Sequence, residues 1–143
     1  MTVLIDTGVV YADHDTDATR HEAASRALDA VYDGEFGHPY LTDYIFDEAI
    51  TLTRKRTGSY CAAKQLSDRL LGEGQYPSVY EILHVSKAGF GDAVDIFERY
   101  DDQALSFTDA TIVAVAERFD IDQVLSFDAH FDGVVPRVDP GDI

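Results

Sequence analysis

Cysteine is almost missing: Cys61 stands alone among 143 residues, so no intramolecular disulfide can form. It lies in CAAKQL, a helical run with no visible base to activate a thiolate, and a small buried thiol is the expectation. The five histidines, His14, His21, His38, His84 and His130, lack the paired spacing of a zinc site. No apolar run approaches the roughly 18 residues that a membrane-spanning helix needs. The opening MTVLIDTGVVYADHD soon turns acidic and has no basic start of the kind a signal peptide carries. A cytoplasmic protein without a membrane partner is the resulting expectation.

Positive charge is the other scarcity. Lys and Arg number 11 against 27 Asp and Glu, a formal net charge of −16. Asp outnumbers Glu 20 to 7, and Lys55, Lys64 and Lys87 are the only lysines. The acids are scattered along the whole chain rather than gathered in one tail. That distribution suits a halophilic surface, since strong salt shortens the Debye length to about 3 Å and screens self-repulsion; docking of a basic partner is the rival explanation.

What is present is enough for one core. A composition of 45% hydrophobic and 27% charged residues argues against disorder, and no repeat or linker divides the chain, so residues 1–143 read as a single domain. Val3-Leu4-Ile5 has the apolar character of a buried strand, followed at Gly8 by a tight turn. A helix is expected over 18–33, with Ala24, Ala27, Leu28 and Val31 on one face, then a strand from His38 to Leu41. Asp43 is expected to cap a helix reaching Arg56, and Ser59 one reaching Leu71. A strand over Val79–Val85, a helix from Ser86 to Tyr100, a helix opened by Thr108, and strands over Gln123–Phe127 and Val134–Val138 complete the pattern. Strands alternating with helices predict an α/β fold around a mainly parallel sheet. In such sheets the site lies beyond the carboxyl ends of the strands.

Asp6 and Asp128 each follow a strand-like run. Glu48 has Tyr44, Ile45, Ala49 and Leu52 at helical spacing around it, and a lone carboxylate on that packed side needs a cation or an arginine. Asp109 lies in a helical first turn, where an acid also suits the helix dipole. Converging at one sheet edge, these four carboxylates could not all remain ionised without a cation. Oxygen ligands of this kind suit a hard ion, Mg²⁺ or Mn²⁺.

The stretches VLIDTGVVYA, LTDYIFDEAITLTRKRTG, LSFTDATIVAVAERF and VLSFDAHFDGV together resemble the PIN-domain family, and more narrowly the VapC ribonuclease toxins. The resemblance covers nearly the whole chain. It implies a three-layer α/β/α sandwich with a five-stranded sheet in the order 3-2-1-4-5. It implies Mg²⁺-dependent hydrolysis of RNA, a cognate antitoxin protein covering the acidic cleft, and a homodimer. Asp6, Glu48, Asp109 and Asp128 match the family's four acidic positions, with Asp6 and Asp109 expected to make most of the direct metal contact. Thr7 and Thr108 match accompanying hydroxyl residues, and Asp132 is an additional acid suited to a water-mediated contact. Exposed apolar surface on the helices of residues 43–71 could serve either protein contact, and the sequence does not locate it.

A chain this acidic needs a local cationic strip to hold RNA. Arg54, Lys55 and Arg56 form the only basic triplet, and Tyr11, Tyr44 and Tyr60 offer rings for stacking. A non-catalytic PIN-like module that binds RNA or protein is the alternative reading. An aspartyl-phosphate mechanism fits poorly, because position 8 is Gly where a second acid belongs and no lysine follows Lys87.

Overall fold

The computed structural model describes residues 1–143. Its elements run β1 (Thr2–Ile5), α1 (Thr7–His14), α2 (His21–Tyr32), β2 (His38–Thr42), α3 (Asp43–Thr57), α4 (Tyr60–Leu71), β3 (Glu81–Leu83), α5 (Lys87–Arg99), α6 (Phe107–Arg118), β4 (Gln123–Leu125) and β5 (Arg137–Val138). All strand pairings are parallel, in the order β3-β2-β1-β4-β5, as the resemblance implies.

β1 is the central strand. Successive side chains of a strand point to opposite faces, yet Val3, Leu4 and Ile5 are all fully buried, so helices cover both sides of the sheet. The chain builds outward from β1 to β2 and β3, then returns to place β4 on the other flank of β1. Strand order therefore reverses between β1 and β4, the place where α/β sheets open a crevice. No helix is long and apolar enough to cross a membrane.

Several local expectations change. The segment after Asp6 is a helix, α1, and not merely a turn; Asp6 caps it by accepting from the Thr7 amide at 2.8 Å. Thr7, Val9, Val10, Tyr11 and Ala12 are all buried, which erases the polar–apolar period that would betray a helix. Thr42, not Asp43, caps α3, its side chain accepting from the Ile45 amide. Asp43 instead accepts from the Val85 amide at 3.1 Å and so ties down the chain where β3 ends early. Ser106 rather than Thr108 caps α6. The last three strands are shorter than expected: the amides of Val134 and Val135 turn back to the Phe131 carbonyl. Cys61 is exposed, not buried.

Candidate active site

The loops at the β1/β4 crevice carry two of the four sequence-predicted acids, Asp6 and Asp128. Asp6 follows β1 directly, and the Ser126 hydroxyl, just beyond β4, donates to its Oδ2 at 2.6 Å. The same Ser126 oxygen accepts from the Asp128 amide at 2.9 Å. One hydroxyl thereby locks the ends of the two adjacent strands together. The chain past Asp128 winds into a short 3-10 turn, Ala129–Phe131, whose Phe131 is fully buried. That anchor contributes roughly 1.5–3 kcal/mol of burial and fixes where the turn sits.

Asp109 comes from the first turn of α6 through a reciprocal cap. Its amide donates to Ser106 Oγ and its Oδ2 accepts from the Ser106 amide, both at 3.0 Å. Glu48, on α3, is half-buried at the boundary between the packed face and a cavity of about 470 Å³. Asp6, Thr7, Glu48, Asp109 and Asp128 all line this cavity. The expectation that Glu48 enters the packed side is thus corrected: its neighbours Ile45 and Ala49 do so, and it borders open space.

Burial is the first cause of the acids' electrostatic stress. It pushes the Asp6 carboxyl up to about 6, with Asp109 and Glu48 adding to the rise and the Ser126 and Thr7 hydrogen bonds opposing it. Asp109 is also raised, again chiefly by burial; the Ser106 hydrogen bonds pull it down while Asp128 and Glu48 push it up. Asp6 and Asp109 therefore both feel the negative charge of the acids around them. Thr7 Oγ1 is buried there without a hydrogen-bond partner.

The remaining candidates lie elsewhere. Thr108 borders a neighbouring recess with Glu48 and Lys55, and its carbonyl accepts from Thr111 Oγ1. Asp132 is outside the cavity and is forked onto Arg137, with contacts of 2.7 and 3.1 Å; the arginine holds its carboxyl below the usual range. Arg54, Lys55 and Arg56 form the exposed last turn of α3, with Arg54 stacked over Tyr60 and Arg56 over Tyr11.

Sequence reasoning missed Ser106, Ser126, Arg20 and His130. His130 Nδ1 lies 2.8 Å from Asp128 Oδ1, and Asp109, Asp128 and His130 present ligand atoms all within 4.8 Å of one another. A ring nitrogen therefore stands beside the carboxylate oxygens. A histidine two residues after an acid was the available signal, and a search for paired histidines passes over it. No signal distinguished Ser126 or Arg20.

The comparisons agree with this architecture. The chain is 25% identical over 132 residues to the VapC ribonuclease of Archaeoglobus fulgidus, covering 92% of this chain and 80% of that protein. The crystal structure of Mycobacterium tuberculosis VapC20, a sarcin–ricin-loop-cleaving toxin, superposes with a TM-score of 0.78 at 25% identity, over 93% of this chain and 96% of that one. A toxin–antitoxin complex from Klebsiella pneumoniae shares the fold, with a TM-score of 0.67 at 18% identity over 96% of this chain and 97% of the other. The PIN domain family model matches residues 3–135, and with the acids gathered where that strand order opens its crevice, the chain belongs to the PIN domain family.

Proposed function

We propose that this protein is a divalent-metal-dependent endoribonuclease, with Mg²⁺ or Mn²⁺ as the ion, and that it is the toxin of a toxin–antitoxin pair acting in the cytoplasm. The observation that carries the reading is the convergence of Asp6, Glu48, Asp109 and Asp128 on one cavity, with burial and mutual repulsion holding Asp6 up to about 6. The similarity to a VapC ribonuclease and to a loop-cleaving toxin points the same way.

The residues fit a hard divalent ion. Carboxylate donors dominate, no arginine forms an ion pair with Asp6, Glu48 or Asp109, and the Thr7 hydroxyl is left unpartnered beside them. Asp6 and Asp109 would hold the ion, with Glu48 and Asp128 orienting water around it and His130 steering the Asp128 carboxylate. When bound, such an ion would acidify water and offset negative charge on a phosphate. The chain's own contribution is positional: Ser126 aims Asp6, Ser106 aims Asp109, and the buried Phe131 fixes the Asp128 turn. The Arg54–Arg56 turn is the cationic strip next to this cavity. A second copy would pack on the aromatic cluster of α5 and α6, where Phe90 and Phe97 lie 5.6 and 5.9 Å from Phe107. Within residues 43–71 the exposed large apolar side chains are Tyr60 and Leu71.

The test is cleavage of single-stranded RNA by purified protein with Mg²⁺ and with EDTA, alongside Asp6→Asn and Asp109→Asn. Cleavage by the wild type that requires the ion and falls at least about 100-fold in both variants is expected, the scale of losing an electrostatic catalytic group. Equal cleavage in all three proteins removes the catalytic assignment. A wild type that binds RNA without cutting it leaves the non-catalytic module.

A further inference from the structure

A second groove, about 480 Å³, runs beside the acidic cavity and has no assigned role. Tyr11, Asp15, Arg20, Leu52, Arg56 and Phe127 line it; Arg20, Leu52 and Phe127 also border the acidic cavity, so the two are continuous. We propose that this groove is an RNA subsite in which Arg20, seated over the Phe127 ring, grips the phosphate of the nucleotide flanking the scissile bond. The inference rests on the ribonuclease reading above.

Charge supply singles out this place. Of 11 basic residues in the chain, Lys64, Arg69, Arg118 and Arg137 are committed to ion pairs with aspartates. Two of the others, Arg20 and Arg56, stand on the walls of this one groove. Each is stacked on a ring, Arg20 with its guanidinium 4.7 Å from the Phe127 centroid and Arg56 with its own 5.2 Å from that of Tyr11. Stacking restrains the guanidinium plane and leaves its N–H edges free for a phosphate. The exposed part of such a ring–cation pair also suits an unstacked base, the combination that single-stranded nucleic acids seek.

Asp15 and Asp17 line the groove too and oppose a polyanion. Asp15 is already engaged, accepting from the Tyr11 hydroxyl and the Asp17 amide. The groove is thus balanced in charge within a chain of net −16. Arg20 is the cation shared with the acidic cavity, so it and not Arg56 takes the phosphate nearest the cut. A protein segment docking in the groove is the competing occupant, but bare guanidinium edges opening onto a phosphodiester site favour RNA.

The experiment measures binding of a short fluorescent single-stranded RNA by anisotropy across a salt series, in the Asp109→Asn protein so that RNA stays intact. Adding Arg20→Gln is expected to weaken binding about tenfold and to reduce the slope of log K against log salt by about 0.7, the loss of one phosphate contact. Arg26→Gln, on the exposed side of α2, removes the same charge and is expected to change affinity less than about twofold. Arg20→Lys should keep the salt slope while losing part of the affinity. Melting curves check that each variant folds. Identical affinity and slope for Arg20→Gln and Arg26→Gln overturn the subsite while leaving the ribonuclease reading intact. Unaltered RNA binding with lost capture of a protein partner in Arg20→Gln overturns it in favour of peptide docking. If the parent fails to bind RNA and the wild type fails to cut it, the ribonuclease reading falls as well.

Discussion

Replacing Asp6 by Asn should change the sign of its effect on stability as pH rises. The Asp6 carboxyl is raised from 3.8 to about 6, first by burial and then by its acidic neighbours. A group raised in the folded state stabilises fully below its unfolded value and loses that contribution as pH climbs through the folded one. The loss develops between about pH 4 and 6 and amounts to roughly two units, or about 3 kcal/mol at 1.36 kcal/mol per unit. Asn is neutral and escapes this penalty. It also forfeits the Ser126 hydrogen bond while keeping an oxygen for the Thr7 amide, a cost of about 1 kcal/mol. In EDTA at fixed ionic strength, the variant should be about 1 kcal/mol less stable at pH 4 and about 2 kcal/mol more stable at pH 8. Urea unfolding across that range measures the difference directly. The acids whose values are lowered, Asp15 and Asp132, are common to both proteins and cancel. Millimolar Mg²⁺ should stabilise only the wild type and shrink the gap at pH 8. A wild-type-minus-variant difference that stays flat with pH refutes the reasoning.

Ser126→Ala leaves Asp6 Oδ2 and the Asp128 amide without their shared partner; Mn²⁺ affinity, read by titration calorimetry, should fall about 10–100-fold, and an unchanged affinity would show that the hydroxyl does not position the acids. Phe131→Ala opens a cavity under the turn that bears Asp128 and should cost about 3–5 kcal/mol in urea unfolding, together with RNA cleavage; a loss below about 1 kcal/mol means the ring is not the anchor described here. Lowering salt from about 1 M to about 0.05 M lengthens the range of repulsion among 27 acids and should lower Tm by more than about 5 °C. A Tm indifferent to salt removes the halophilic reading.

The sheet was legible because its central strand is apolar on both faces, a pattern that buried parallel strands share, and because Gly58, Ser59, Gly72 and Ser86 punctuate helices with ordinary cap chemistry. The helix α1 was hidden by the same completeness of burial, which leaves no amphipathic stripe. The acids Asp6, Glu48, Asp109 and Asp128 could be named because each follows a recognisable element boundary or interrupts an apolar face. Their supports could not. Ser126 matters only through a partner 120 positions away, and Arg20 only through a ring brought in from beyond β4. Local pattern carries no trace of such pairings. Asp132, near in sequence to the fourth motif, turned instead to Arg137 because a guanidinium offers an exposed carboxylate a two-point grip.

The Ser126 hydroxyl joins the first strand of the chain to the fourth, and this has a consequence for synthesis. A ribosome-bound fragment that stops before Gln123 has β1 paired only with β2 and offers Asp6 neither its donor nor the Asp128 turn. The pocket cannot exist until β4 and the turn bearing Asp128 have been made. For a protein proposed to cut RNA, late closure of that kind keeps the unfinished chain harmless to the machinery translating it.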